Sequence, residues 1–104
     1  MYIECSIQNE DETRIFVKIE GRITAANAGQ FDQSIRHLIS NKPDKSLVLD
    51  FEKVDYISSA GLRGLMIGHK TASSKGGKFT LINVGEAVNE VLRVTGLDKA
   101  LNIQ

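Results

Sequence analysis

Between Ser46 and Met66 the chain changes its period. Leu47-Val48-Leu49 is a continuous apolar run inside Ser46–Phe51, the pattern of a central strand covered on both faces and paired in parallel. From Ala60 onward, Leu62, Leu65 and Met66 recur at helical spacing. The join reads Val54-Asp55-Tyr56-Ile57-Ser58-Ser59-Ala60-Gly61. A covered strand that feeds directly into a helix is half of a β-α-β unit. It restricts the chain to an α/β fold.

The flanking segments extend that pattern in both directions. Tyr2–Gln8 alternates, with Ile3, Cys5 and Ile7 on one side. Arg14–Glu20 alternates too, with Ile15, Val17 and Ile19 inward and Phe16 breaking the polar face. The short polar turn at Asn9–Glu12 predicts an antiparallel hairpin. Gly21-Arg22-Ile23-Thr24 closes the second strand, and Thr24 is placed to cap a helix over Ala25–Ser40. Pro43 in Asn41-Lys42-Pro43-Asp44 ends it. A helix over Ala60–Ser74 follows the serines. Gly61, Gly64 and Gly68 inside it imply that something approaches closely. Lys78–Val84 reads as a fourth strand, Gly85–Thr95 as a third helix stopped at Gly96, and Leu97–Gln104 as a closing turn anchored by Leu101 and Ile103. The predicted order is β-β-α-β-α-β-α. It gives a mixed four-stranded sheet with an antiparallel N-terminal hairpin, parallel β-α-β units and three to four helices, in one domain over residues 1–104.

Composition excludes several functional classes. Lys+Arg and Asp+Glu are 13 each, so no basic excess points to nucleic acid or an anionic membrane. No apolar run reaches the length of a membrane span. The N-terminus lacks the basic and apolar regions of a signal peptide, and a single cysteine, Cys5, fits a reducing cytoplasm.

The two serines are the chemistry on offer. They sit at the carboxyl end of a strand and the amino end of a helix, where α/β sheets usually meet ligands and partners. The plain role of such a serine is a helix cap. A phosphate there would add about 1.5 to 2 negative charges, which a helix start tolerates and an apolar or acidic partner surface does not. Nucleophilic catalysis is poorly supported. The Gly-x-Ser-x-Gly elbow is missing, and His37 and His69 lie in predicted helices without an orienting acid. Two histidines and one cysteine make no metal-ligand set. Gly76-Gly77-Lys78 precedes a strand and is a turn rather than a phosphate loop. Asp50 and Asp55 flank the loop as solvated acids or turn-formers, the sharper alternative being that one of them holds a metal or orients the serine, and Arg63 is expected to be exposed as a partner contact.

These residues together resemble the STAS domain of bacterial anti-sigma factor antagonists. The resemblance runs through Gly21-Arg22-Ile23-Thr24, Leu47-Val48-Leu49-Asp50-Phe51, Val54-Asp55-Tyr56-Ile57, Ser58-Ser59-Ala60-Gly61-Leu62, Gly76-Gly77 and Val94-Thr95-Gly96-Leu97. It implies a non-enzymatic partner switch without a cofactor. Ser59 is the implied phosphoacceptor and Ser58 a second candidate. The implied partner surface is Arg22, Thr24, Asp55, Ser58, Ala60, Gly61, Leu62 and Arg63. The implied partners are an anti-sigma factor that is also a serine kinase, and a serine phosphatase of the PP2C type. Two positions depart from the family pattern: Ser58 and Thr24 stand where acidic residues are usual. A different class is a non-phosphorylated STAS subunit of a transport complex, or a module binding a small nucleotide or lipid. A serine hydrolase is third.

Overall fold

A computed structural model describes residues 3–42 and 44–104. The expected strand start at Tyr2 and the helix-ending Pro43 lie outside the described residues. Strands β1 (Ile3–Glu10) and β2 (Arg14–Gly21) form the expected antiparallel hairpin, with a register shift between Ile7 and Asn9. Asp11 makes its turn. The carboxylate of Asp11 accepts the amides of Thr13 at 2.9 Å and Arg14 at 2.7 Å. There follow α1 (Ala28–Asn41), β3 (Ser46–Lys53), α2 (Ser59–Ser74), β4 (Phe79–Ile82), α3 (Glu86–Val94), the single turn α4 (Leu97–Ala100) and β5 (Asn102–Ile103). The parallel β-α-β units are present as β2-α1-β3 and β3-α2-β4.

Among the described residues the sheet has five strands in the order β1-β2-β3-β4-β5, not four. The predicted closing turn instead contains α4 and β5. Asn102 and Ile103 pair in parallel with Thr80 and Leu81. Asn102 Nδ2 also donates to Thr80 Oγ1 at 2.8 Å, and the Gln104 amide donates to the Leu81 carbonyl at 2.9 Å. Two residues are too few to display a period, so this strand arises from tertiary pairing.

One face of the sheet carries the core. Ile15, Val17 and Ile19 of β2, Leu47, Leu49 and Phe51 of β3, and Phe79 and Leu81 of β4 are buried against the helices. Phe31 and Ile35 of α1, Leu62 and Leu65 of α2, and Val88 and Leu92 of α3 close that layer. The opposite face is a concavity of about 430 Å³ lined by strand and turn residues, Phe16, Val48, Thr80 and Ile82 among them. The expectation that β3 is covered on both faces therefore gives way. Val48 is 8% exposed because Phe16 and Thr80 flank it in register, not because a second layer covers it. Phe16, the break in the alternation, lies on this open face with the Arg14 guanidinium 5.1 Å from its ring centroid.

Helix α1 begins three residues later than the sequence suggests. Thr24 does not cap it. The Thr24 hydroxyl accepts the Asn27 amide at 3.4 Å, Asn27 Oδ1 accepts the Thr24 amide at 2.8 Å, and the Ala28 amide donates to the Thr24 carbonyl at 2.9 Å. These bonds close a separate turn ahead of the helix, and local side-chain bonding of this kind competes with helix. Among the described residues no helix is long and apolar enough to cross a membrane.

Candidate functional site at the start of helix α2

The two loops that leave β2 and β3 are stitched together. Ile23 and Ile57 form an isolated parallel bridge. The Ile23 amide donates to the Tyr56 carbonyl at 3.0 Å, and the Ser58 amide donates to the Ile23 carbonyl at 2.8 Å. Both isoleucines are buried, so two apolar side chains fix where the loops lie. The bridge sets Arg22 beside Asp55 and Tyr56, at the carboxyl ends of β2 and β3 and the start of α2. The Arg22 guanidinium lies 4.5 Å from the Tyr56 ring centroid, and its Nη1 is 4.0 Å from Asp55 Oδ1. All three side chains are substantially exposed, so the ion pair itself adds little stability.

The serines divide their roles. Ser58 has extended backbone angles and caps α2, its Oγ accepting the Gly61 amide at 3.2 Å. Ser59 is the first helical residue. It is exposed, and its hydroxyl makes no hydrogen bond to any other described residue. The amides of Ser59 and Ala60 are likewise without an acceptor among the described residues, leaving positive partial charge at this end of the helix.

The glycines answer a different need from the one expected. A Cβ on Gly61 would sit 2.6 Å from Ile23 Cγ2 and 2.8 Å from Ile57 Cγ1. A Cβ on Gly68 would sit 2.9 Å from the Phe79 ring. The close approach comes from the chain's own core. Gly61 and Leu62 of the expected partner surface are both buried. Arg22, Thr24, Asp55, Ser58, Ser59, Ala60 and Arg63 remain at least partly accessible. Ala60, Arg63 and Gly64 line a groove of about 170 Å³ against Ala28, Gly29 and Asp32 of α1.

Among the described residues neither histidine stands with Ser59. His69 is ten residues further along α2, edge-on to Phe79 at 6.4 Å between ring centroids, with its Nδ1 buried. His37 lies by the other end of α1, lining a groove with Cys5 and Ile7. Among the described residues no group of three or more His, Cys, Asp or Glu could hold a metal ion. Sequence reasoning passed over Asn27. It is 3% exposed and joins the Thr24 turn to the Arg22 carbonyl, which accepts from its Nδ2 at 2.8 Å. The only sequence signal was a polar residue three positions after Thr24.

Comparison with known proteins identifies the family. The STAS-domain family model matches residues 4–104. A candidate anti-sigma factor antagonist of Bordetella bronchiseptica, BtrV, is 32% identical over 78 residues, covering 75% of this chain and 66% of that protein, just under two thirds of its length. A crystal structure of a candidate anti-sigma factor antagonist from Thermotoga maritima superposes with a TM-score of 0.78 at 27% identity, covering 97% of this chain and 84% of that one. SpoIIAA in its unphosphorylated form shares the fold, with a TM-score of 0.79 at 15% identity over 97% of this chain and 88% of that one. The phosphorylated form of the Bacillus SpoIIAA gives 0.72 at 14%, over 97% and 91%. The chain belongs to the STAS-domain family.

Proposed function

We propose that this chain is an anti-sigma factor antagonist whose binding is switched by phosphorylation of Ser59. The observation that carries the reading is the division of roles between the serines. Ser58 spends its oxygen on the Gly61 amide, while Ser59 presents a free, exposed hydroxyl beside it. In the unphosphorylated state the face formed by Arg22, Asp55, Ser59 and Arg63 docks on an anti-sigma factor that is also a serine kinase, and the sigma factor is released. The kinase then transfers the γ-phosphoryl group of ATP. The bond from the terminal phosphorus to the bridging oxygen breaks, the Ser59 Oγ–P bond forms, a base of the kinase takes the hydroxyl proton, and ADP leaves.

The product carries about 1.5 to 2 negative charges at the first residue of α2. The free amides there accept that charge without disturbing the fold. A partner surface packed against the same spot must desolvate it, and the complex parts. A PP2C-type phosphatase resets the cycle by hydrolysing the Oγ–P bond. BtrV and the Thermotoga protein carry antagonist names, and SpoIIAA takes a phosphorylated form. These relatives support the reading.

Incubation with the cognate kinase and ATP, followed by peptide mass spectrometry, tests it. The expected result is a single phosphate on Ser59 and none in Ser59→Ala, which binds the partner but escapes release. Phosphate on Ser58, or none at all, overturns the reading.

A further inference from the structure

The first charged residue of α2 after Ser59 is Arg63, one turn on. Residues four apart on a helix stand roughly 5 to 6 Å apart at Cβ. Helical side chains also lean back toward the amino end, so Arg63 overhangs the turn that Ser59 begins. Arg63 is exposed and has no described carboxylate within ion-pair distance. Other charged groups border this turn. Asp32 lines the groove beside Arg63; Arg36 of α1 holds its Oδ2 at 2.8 Å, while its Oδ1 is buried without a hydrogen-bond partner among the described residues. Arg22 and Asp55, from the adjoining loops, face each other.

We propose that Arg63 is the intramolecular clamp of the Ser59 phosphate, its guanidinium forking onto two phosphate oxygens. The inference rests on Ser59 being the phosphoacceptor. It adds a second component to the switch. In the unmodified chain Arg63 is free to meet an acidic group on the partner. In the phosphorylated chain the same guanidinium is turned back onto its own helix. Phosphorylation thus adds negative charge to the docking face and withdraws a cation from it. Arg63 is a positioning residue here: it orients the phosphate and takes no part in its transfer. Lysine would keep the charge and lose the fork.

Phosphoserine incorporated at position 59 during translation isolates this claim from any kinase. A ³¹P NMR titration of the full chain reads the second ionisation of the phosphate, ordinarily near pH 6. The pair lowers it by about 0.2 to 0.7 pH unit relative to the Arg63→Ala phosphoprotein. Arg63→Lys gives an intermediate value. Arg93→Ala is the control, because Arg93 sits in the last turn of α3 and is held by Glu90; it leaves the ionisation unchanged. Circular dichroism verifies that each variant is folded. Equal ionisation in wild type and Arg63→Ala, or an equal response to Arg93→Ala, overturns the clamp. Failure of the kinase to modify Ser59 would instead remove the switch while leaving this measurement intact.

Discussion

The Ser58 hydroxyl accepts the Gly61 amide at 3.2 Å, and that bond decides which of two adjacent serines is available. A capping oxygen is committed to the backbone. Its neighbour, one residue further on and inside the helix, is not. The same sequence element therefore stabilises the helix and presents the hydroxyl.

This division predicts different costs for the two alanine substitutions. Ser58→Ala removes the cap and destabilises the fold by about 1 kcal/mol. For a domain of this size that lowers the melting temperature by roughly 4 to 8 °C. Ser59→Ala removes no contact and stays within about 0.5 kcal/mol of wild type. Urea or thermal unfolding followed by circular dichroism measures both. Equal costs would remove the assignment of the cap to Ser58.

The glycines of α2 separate in the same way. Gly61→Ala drives a methyl to 2.6 Å from Ile23 Cγ2 and costs about 1 to 3 kcal/mol, despite the higher helix propensity of alanine. Gly64→Ala meets nothing closer than 3.7 Å, at Asp32 Cβ and the Phe31 ring, and stabilises by up to about 1 kcal/mol. Chemical denaturation of the two variants should move their midpoints in opposite directions.

The general plan of this fold was legible because its segments differ in period. The hairpin showed in the alternation around Ile15, Val17 and Ile19, and the β3-to-α2 join in the change from Leu47-Val48-Leu49 to the spacing of Leu62 and Leu65. Less visible were features that depend on partners distant in sequence. Strand β5 exists because Asn102 and Ile103 find Thr80 and Leu81. The late start of α1 comes from side-chain bonds between Thr24 and Asn27, which compete locally with helix. Gly61 read as a point of contact with a partner, and only the Ile23–Ile57 bridge reveals that the contact is internal. Ser58 and Ser59 both read as cap or switch. A single hydrogen bond, donated by the Gly61 amide to Ser58 Oγ, distinguishes them.

Asn27 holds the Arg22 loop to the turn before α1, and it is buried. Asn27→Ala leaves the Thr24 amide and the Arg22 carbonyl without their partners and costs about 1 to 3 kcal/mol. Asn27→Asp keeps an acceptor for Thr24 but sets a second acceptor against the Arg22 carbonyl at a buried position, so it is destabilising as well. Equilibrium unfolding of Asn27→Ala is the check, and a cost below about 0.5 kcal/mol would contradict the role given to this residue.

Cys5 faces α1 from the edge strand, and burial pushes its thiol up from 9.0 to about 11, partly offset by a hydrogen bond with Ser34. The thiol therefore remains protonated at neutral pH and reacts slowly with iodoacetamide, its rate rising only as the pH approaches 11 in the folded chain. The sign for stability follows. Above pH 9 the unfolded chain loses this proton while the folded chain keeps it, so the group's contribution is full below that pH and is lost as the pH rises through the folded value. Alkylation rates in folded and urea-unfolded protein, compared between pH 7 and 11, measure the difference.

The central claim is that charge on Ser59 ends binding. The direct measurement is the affinity of the anti-sigma factor kinase for the chain in two forms, unmodified and carrying phosphoserine at position 59. The account predicts at least a tenfold loss of affinity on phosphorylation, equivalent to about 1.4 kcal/mol, with Ser59→Ala binding as the unmodified chain does. Equal affinity for the two forms would contradict it.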